Sequence, residues 1–310
     1  MINFRYHVVS LTAVFLALAI GLVLGTAALN GPVADSLKDR VTALSKDNSN
    51  YRDQANQYRD ELNRVQQFAT EVAGPLIAGK LTGRKLLLVA LPGGEDYLEG
   101  VASMLNMAGA KITAKVTVQD KFFDPANDVE LLDLVNQSSQ PTVPLAPLPM
   151  NSYGVETASA QLALALLQRT SGAVAQNDLT AVLTAYTKAS DITVADGAVG
   201  GAEATVIVSG LPPVDKDAAK KTASAVTFAE QFEKARPLVV AGNGIGDGNL
   251  VTEVRGDPNL VQSISTVDNV TTVQGQLATA LTVVERVVAN KVGQYGLLPS
   301  ATSMVPKAAP

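Results

Sequence analysis

Few residues in this 310-residue chain could do chemistry, and their scarcity narrows the function before any fold is considered. Cysteine is absent, which removes disulfides, thiolate metal sites and a cysteine nucleophile together. His7 is the single histidine, so any Ser-His-Asp triad would have to use it, and a zinc site built from several imidazoles cannot be assembled. Met104 and Met107 offer two thioethers to Cu(I) on an expected helix, although helical methionines usually fill a core. Carboxylates such as Glu95 and Asp96, or Asp128, Glu130 and Asp133, fall at expected helix starts, where the helix dipole favours negative charge without any catalytic role. This inventory predicts no enzyme and no cofactor, and it leaves metal ligands unassigned.

Three loops stand where a ligand would bind in an open α/β sheet, beyond the carboxyl ends of the strands. Pro92, Gly93 and Gly94 follow the first expected strand, a glycine-rich run at 242–248 follows the fourth, and Asp268 with Asn269 follows the fifth. The glycine-rich run approaches the dinucleotide pattern G-x-G-x-x-G, but Asp247 occupies the sixth place where the pattern needs glycine. Gly242, Asn243, Gly244, Asp247, Asp268 and Asn269 are therefore read as candidate ligand or partner loops, with tight turns as the competing explanation.

The elements that must position these loops are legible as an alternation over residues 80–295. Short β-branched runs at 85–91, 111–118, 205–209, 238–241 and 262–267 predict strands. Helical stretches at 96–108, 129–136, 155–169, 178–186, 218–235 and 273–291 lie between or after them. The fold class expected is α/β, a doubly wound, mostly parallel Rossmann-like or flavodoxin-like sheet. The proline-rich stretch at 141–149 reads as an exposed loop or docking strand, and residues 296–310 as a disordered tail.

Ahead of this domain, residues 8–29 run 22 positions without a charge, about 33 Å of helix against a bilayer core of about 30 Å. A cleaved signal peptide is the rival, with Arg5 before it and Gly25, Thr26 and Ala27 offering a small-x-small site, but signal cores span only about 7–15 residues. Residues 1–31 are thus expected to be a cytoplasmic N-terminus and single transmembrane helix, with the rest of the chain extracytoplasmic. Ala13, Ala17, Gly21 and Gly25 recur every fourth position, the spacing that lets two membrane helices approach closely.

Residues 32–74 then carry a heptad in which apolar or aromatic residues alternate at spacings of four and three. Leu37, Leu44, Tyr51, Tyr58, Val65 and Val72 take the d positions, and Val41, Asn48, Ala55, Leu62 and Ala69 the a positions. A lone asparagine at a is a known device for fixing register in a parallel dimer. A parallel coiled-coil stalk is expected, ended by Gly74 and Pro75, with a helix folded back onto its own domain as the alternative. Hydrophobic residues make up 47% of the chain, charged residues 17%, and mean hydropathy is +0.18, in keeping with a membrane segment. A net charge of -5 argues against nucleic-acid binding.

The opening residues 1–25, the heptad helix after them, and Ser265 to Asn269 with Gly275 together resemble the actinobacterial copper-transport protein B family. The resemblance implies an envelope protein of mycolic-acid bacteria, associated with copper efflux and resistance and described as an outer-membrane channel. Copper would then be a transported ion. An alternative drawn from the residues alone is a membrane-anchored dimeric scaffold that positions cell-wall or division partners without transport. An outer-membrane channel would normally be a barrel of strands of about 9–11 residues, and the sequence shows no such series.

Overall fold

The computed structural model describes residues 4–29, 31–149, 152–170 and 172–307. The chain divides into two units, Met1–Val65 and Gln66–Pro310.

In the first unit α1 (Phe4–Leu29) is apolar on every side, and residues Phe4–Ala27 form 24 residues long and apolar enough to cross a membrane. Its threonines add no unsatisfied group: the Thr12 hydroxyl donates to the Val8 carbonyl at 2.7 Å and that of Thr26 to the Leu22 carbonyl at 2.9 Å. α2 (Pro32–Ile77) follows, opening with Asp35 in its first turn. It runs past the stop expected at Gly74 and Pro75, because Pro75 falls within its last turn, where the amide of Ala78 still reaches the Gly74 carbonyl at 2.9 Å. From Gln66 on, the buried stripe of α2 is Ala69, Ala73 and Ile77, a spacing of four, with Val72 beside it. The last heptad of the expected stalk is therefore spent on the chain's own second unit.

That unit is built on one sheet of seven strands: β1 (Lys85–Ala90), β2 (Lys111–Val118), β3 (Ile192–Val194), β4 (Ala204–Ser209), β5 (Leu238–Gly242), β6 (Ser265–Val267) and β7 (Gln294–Tyr295). Their order is β3-β2-β1-β4-β5-β6-β7, parallel except for β3 against β2. This is the doubly wound order in which the direction of winding reverses between β1 and β4. The helices are α3 (Glu95–Met107), α4 (Asp128–Ser138), α5 (Gly154–Leu166), α6 (Gln176–Lys188), α7 (Ala218–Ala235), α8 (Leu250–Gly256), α9 (Leu260–Ser263) and α10 (Val273–Val288).

Strand periodicity sorts the apolar residues into two cores. Leu87 and Val89 of β1, Ile207 of β4 and Val240 of β5 face the core under α5, α6 and α7. Leu86, Leu88, Val206 and Val239 face the core under α3, α10 and the end of α2. In the first core Phe122, Phe123, Phe228 and Phe232 make edge and stacked pairs with centroids 4.7 to 5.9 Å apart, each worth about 0.5–1.5 kcal/mol beyond burial.

Three expectations are corrected. The strand expected at 262–267 is split, with its first part in α9 and only Ser265–Val267 in β6. The proline-rich stretch is anchored, with Val143 fully buried and the Thr142 amide and hydroxyl donating to Asp178 at 2.8 and 2.7 Å. Those two bonds hold the Asp178 carboxyl below its ordinary range. The tail expected to be disordered from 296 is paired as far as Ser303: Gly296 donates to the Ser303 carbonyl at 3.0 Å and Thr302 to that of Gln294 at 2.8 Å. β7 offers an open edge, and this segment satisfies it.

Candidate functional site

The carboxyl ends of β1, β4 and β5 converge on a cavity of about 340 Å³ at the point where winding reverses. β1 is ended by a turn in which Pro92 fixes one φ and Gly93, at φ +76°, takes the next, with the Gly94 amide closing on the Leu91 carbonyl at 2.8 Å. A side chain at Gly94 would overlap the Val208 carbonyl, and one at Gly210 would overlap the Gly93 backbone. The two glycine loops therefore touch between β1 and β4, where a dinucleotide fold keeps its crevice open for pyrophosphate. Glu95 and Asp96 add negative charge at that helix start.

Across the cavity, Lys221 projects from the first turns of α7. It is 8% exposed, and its Nζ donates to Asp120 at 2.6 Å and Asp215 at 2.7 Å. The bond to Asp120, then that to Asp215, raises the Lys221 pKa, and the Lys221 bond in turn lowers that of Asp215. The ammonium is thus held in its charged form, with two of its three donors spent on carboxylates. Ser209, at the end of β4, also lines the cavity. It is 6% exposed and its Oγ has no partner among the described residues.

The loops expected from sequence contribute unequally. Pro92, Gly93, Gly248 and Asn249 line the cavity. Gly242, Asn243, Gly244, Asp247, Asp268 and Asn269 are not among its lining residues. Asn243 forms an isolated bridge to Asn269 and accepts the Ile245 amide at 3.2 Å through its side chain, a turn-forming role. Gly244 donates to the Asp268 carbonyl at 2.7 Å, Gly242 is crowded by Ser209 and Val251, and Asp247 is exposed.

Asp268 is a strut. Its carboxylate pairs with Arg255 at 2.8 Å, the two side chains being 1% and 4% exposed, and accepts the amides of Leu297 and Leu298 at 2.7 and 3.2 Å. Arg255 spends its other donors on Thr266, Ser300 and the Tyr295 carbonyl. Asn269 is buried beside Gly275, whose lack of a side chain admits the Asn269 carbonyl.

The membrane-helix stripe of Ala13, Ala17, Gly21 and Gly25 is exposed on α1, with open space where side chains on Gly21 and Gly25 would stand. On α2, Leu37, Val41, Leu44, Tyr51, Tyr58, Leu62 and Val65 are 47 to 70% exposed, and Asn48 and Ala55 lie exposed between them. Among the described residues no group of three or more His, Cys, Asp or Glu is placed to hold a metal ion. Met104 is buried in the second core, whereas Met107 and Met304 are exposed.

Comparison with known proteins covers almost the whole chain. The profile of the family described as "Copper transport outer membrane protein, MctB" matches residues 1–306. The chain is similar to "Copper transporter MctB" of Mycobacterium tuberculosis and of Mycobacterium bovis, 28% identical over 304 residues, 96% of each chain. It is likewise 28% identical over 317 residues to "Copper transporter MctB" of Mycobacterium leprae, covering 98% of this chain and 99% of that protein.

Proposed function

This chain belongs to the MctB family of copper transport outer membrane proteins, and from that membership we propose that it is a membrane-anchored component of copper efflux in the cell envelope. In this reading α1 anchors the chain, its N-terminus cytoplasmic, and the α/β domain stands on the extracytoplasmic side. Copper is the cargo. The chain supports a conduit that it does not enclose by itself.

The observation that carries this reading is the family match over residues 1–306 of a chain whose described strands lie in one open sheet covered on both faces. A spanning wall needs a closed barrel or a bundle of helices, and the described residues supply one spanning helix per chain. Several copies are therefore part of the proposal, with a parallel dimer as the unit. The exposed small residues of α1 and the exposed heptad of α2 support it, since apolar a and d positions left in water gain about 25 cal/mol for each Å² that a second copy buries.

One observation favours a second reading. An exposed heptad face fits a dimeric scaffold that positions a cell-wall or division partner without moving copper. The two readings part on cell-associated copper, measured by mass spectrometry over a graded external series in cells lacking the chain. Raised copper, returned to normal by the intact chain, supports efflux; unchanged copper across the series overturns it in favour of the scaffold.

A further inference from the structure

We propose that the cavity at the carboxyl ends of β1, β4 and β5 binds a small, uncharged and largely apolar molecule. The inference does not depend on the copper reading. At about 340 Å³ the cavity lies at the small end of ligand pockets, which span about 300–1,000 Å³. Its walls are formed by Leu91, Pro92, Phe123, Pro212, Ala225 and Leu250.

Four uncharged polar residues, Tyr97, Ser209, Thr222 and Asn249, belong to the lining, and Thr222 and Asn249 donate to the Gly248 and Gly246 carbonyls at 3.0 and 2.6 Å. The Ser209 Oγ is buried against Gly242 and is not presented to a ligand. Lys221 and Asp120 are the charged lining residues. Lys221 is already bonded to Asp120 and Asp215, so the three formal charges sum to -1. An anion would find an ammonium already neutralised by two carboxylates and would face a net negative cluster. A nucleotide is further disfavoured by the contact between the Gly93 and Gly210 loops. The lining offers no thioether or imidazole to copper.

The test uses a matched pair of dyes: 1-N-phenylnaphthylamine, which is uncharged, and 8-anilinonaphthalene-1-sulfonate, the same ring system carrying a sulfonate. The full chain in lipid nanodiscs is titrated with each, and empty nanodiscs give the lipid background. The expected result is a saturable component for the neutral dye at one per chain, at least tenfold tighter than for the sulfonate. Ala225→Trp, which fills the cavity from α7, weakens neutral-dye binding at least tenfold. Pro212→Asp, which puts a charge on a partly exposed wall residue, weakens neutral-dye binding severalfold and keeps the test readable should Ala225→Trp fail to fold. No saturable component above empty nanodiscs, equal affinity for the two dyes, or unchanged affinity in both variants would overturn the proposal.

Discussion

Replacing Asp268 with alanine should release the C-terminal segment from β6. In the intact chain one carboxylate, 1% exposed, holds the Arg255 guanidinium and the amides of Leu297 and Leu298. Its removal leaves a guanidinium that is 4% exposed without its counter-ion, together with two amides that have lost their acceptor. Breaking one side of a buried pair costs about 3–5 kcal/mol, or roughly 100- to 4,000-fold in the local opening equilibrium at 1.4 kcal/mol per tenfold. Hydrogen–deuterium exchange of peptides covering 294–303 in the full chain reads that factor directly. Adding Arg255→Met to Asp268→Ala removes the stranded charge as well, so the double variant should exchange more slowly than the two single effects predict together. Exchange within threefold of the intact chain for Asp268→Ala, or strict additivity in the double variant, would refute the role of this pair as a strut.

The absence of native cysteine makes single-cysteine crosslinking clean. Asn48→Cys, at an a position, should form an intermolecular disulfide under mild oxidation, while Asp53→Cys, on the outer f position, should not; equal crosslinking at both would remove the parallel dimer. Gly94→Ala should destabilise the α/β unit by about 1–3 kcal/mol in chemical unfolding, because its methyl group would overlap the Val208 carbonyl. Asp215 should titrate below the usual carboxylate value of about 3.9, since the hydrogen bond from Lys221 favours its charged form. Its folded pKa is depressed, so its stabilising effect is present above the unfolded pKa and lost as pH falls through the folded one. Lys221→Met should return the Asp215 titration, followed by carboxyl NMR, towards the ordinary value.

The central strands were legible in the sequence because their apolar runs are bounded by glycine and proline. β3 and β7 were not. Each is two or three residues long and is defined by the strand it pairs with, so neither carries a periodicity of its own. The tail departs from expectation for the same reason: its alanine, serine and proline composition reads as disorder, yet the open edge of β7 supplies partners that composition does not show. The heptad over 37–65 and the buried stripe at Ala69, Ala73 and Ile77 lie on one continuous helix, and only packing distinguishes their fates.

Site legibility followed the same division. The carboxyl ends of the strands were the right place to look, because the topology dictates them. The Lys221 cluster is not legible in the sequence, since Asp120 lies 101 positions away and becomes a neighbour only when the 3-10 turn Asp120–Phe123, after β2, packs on α7. A signal was present: Lys220 and Lys221 stand in the first turn of α7, where the helix dipole disfavours positive charge and a compensating acid is to be expected. Asp268 reads from sequence as a ligand-loop residue, but its partner Arg255 lies 13 positions earlier, at the end of α8, a short helix that the sequence pattern does not reveal.

The central claim is that the chain supports copper export as an assembly. It is tested most directly by the rate at which copper-preloaded cells release copper after transfer to copper-free medium, comparing cells with the intact chain, without it, and with a chain carrying Leu44→Asp and Leu62→Asp. Release is expected to be slow without the chain, normal with the intact chain, and slow with the variant although its α/β unit stays folded. Equal release from all three would contradict it.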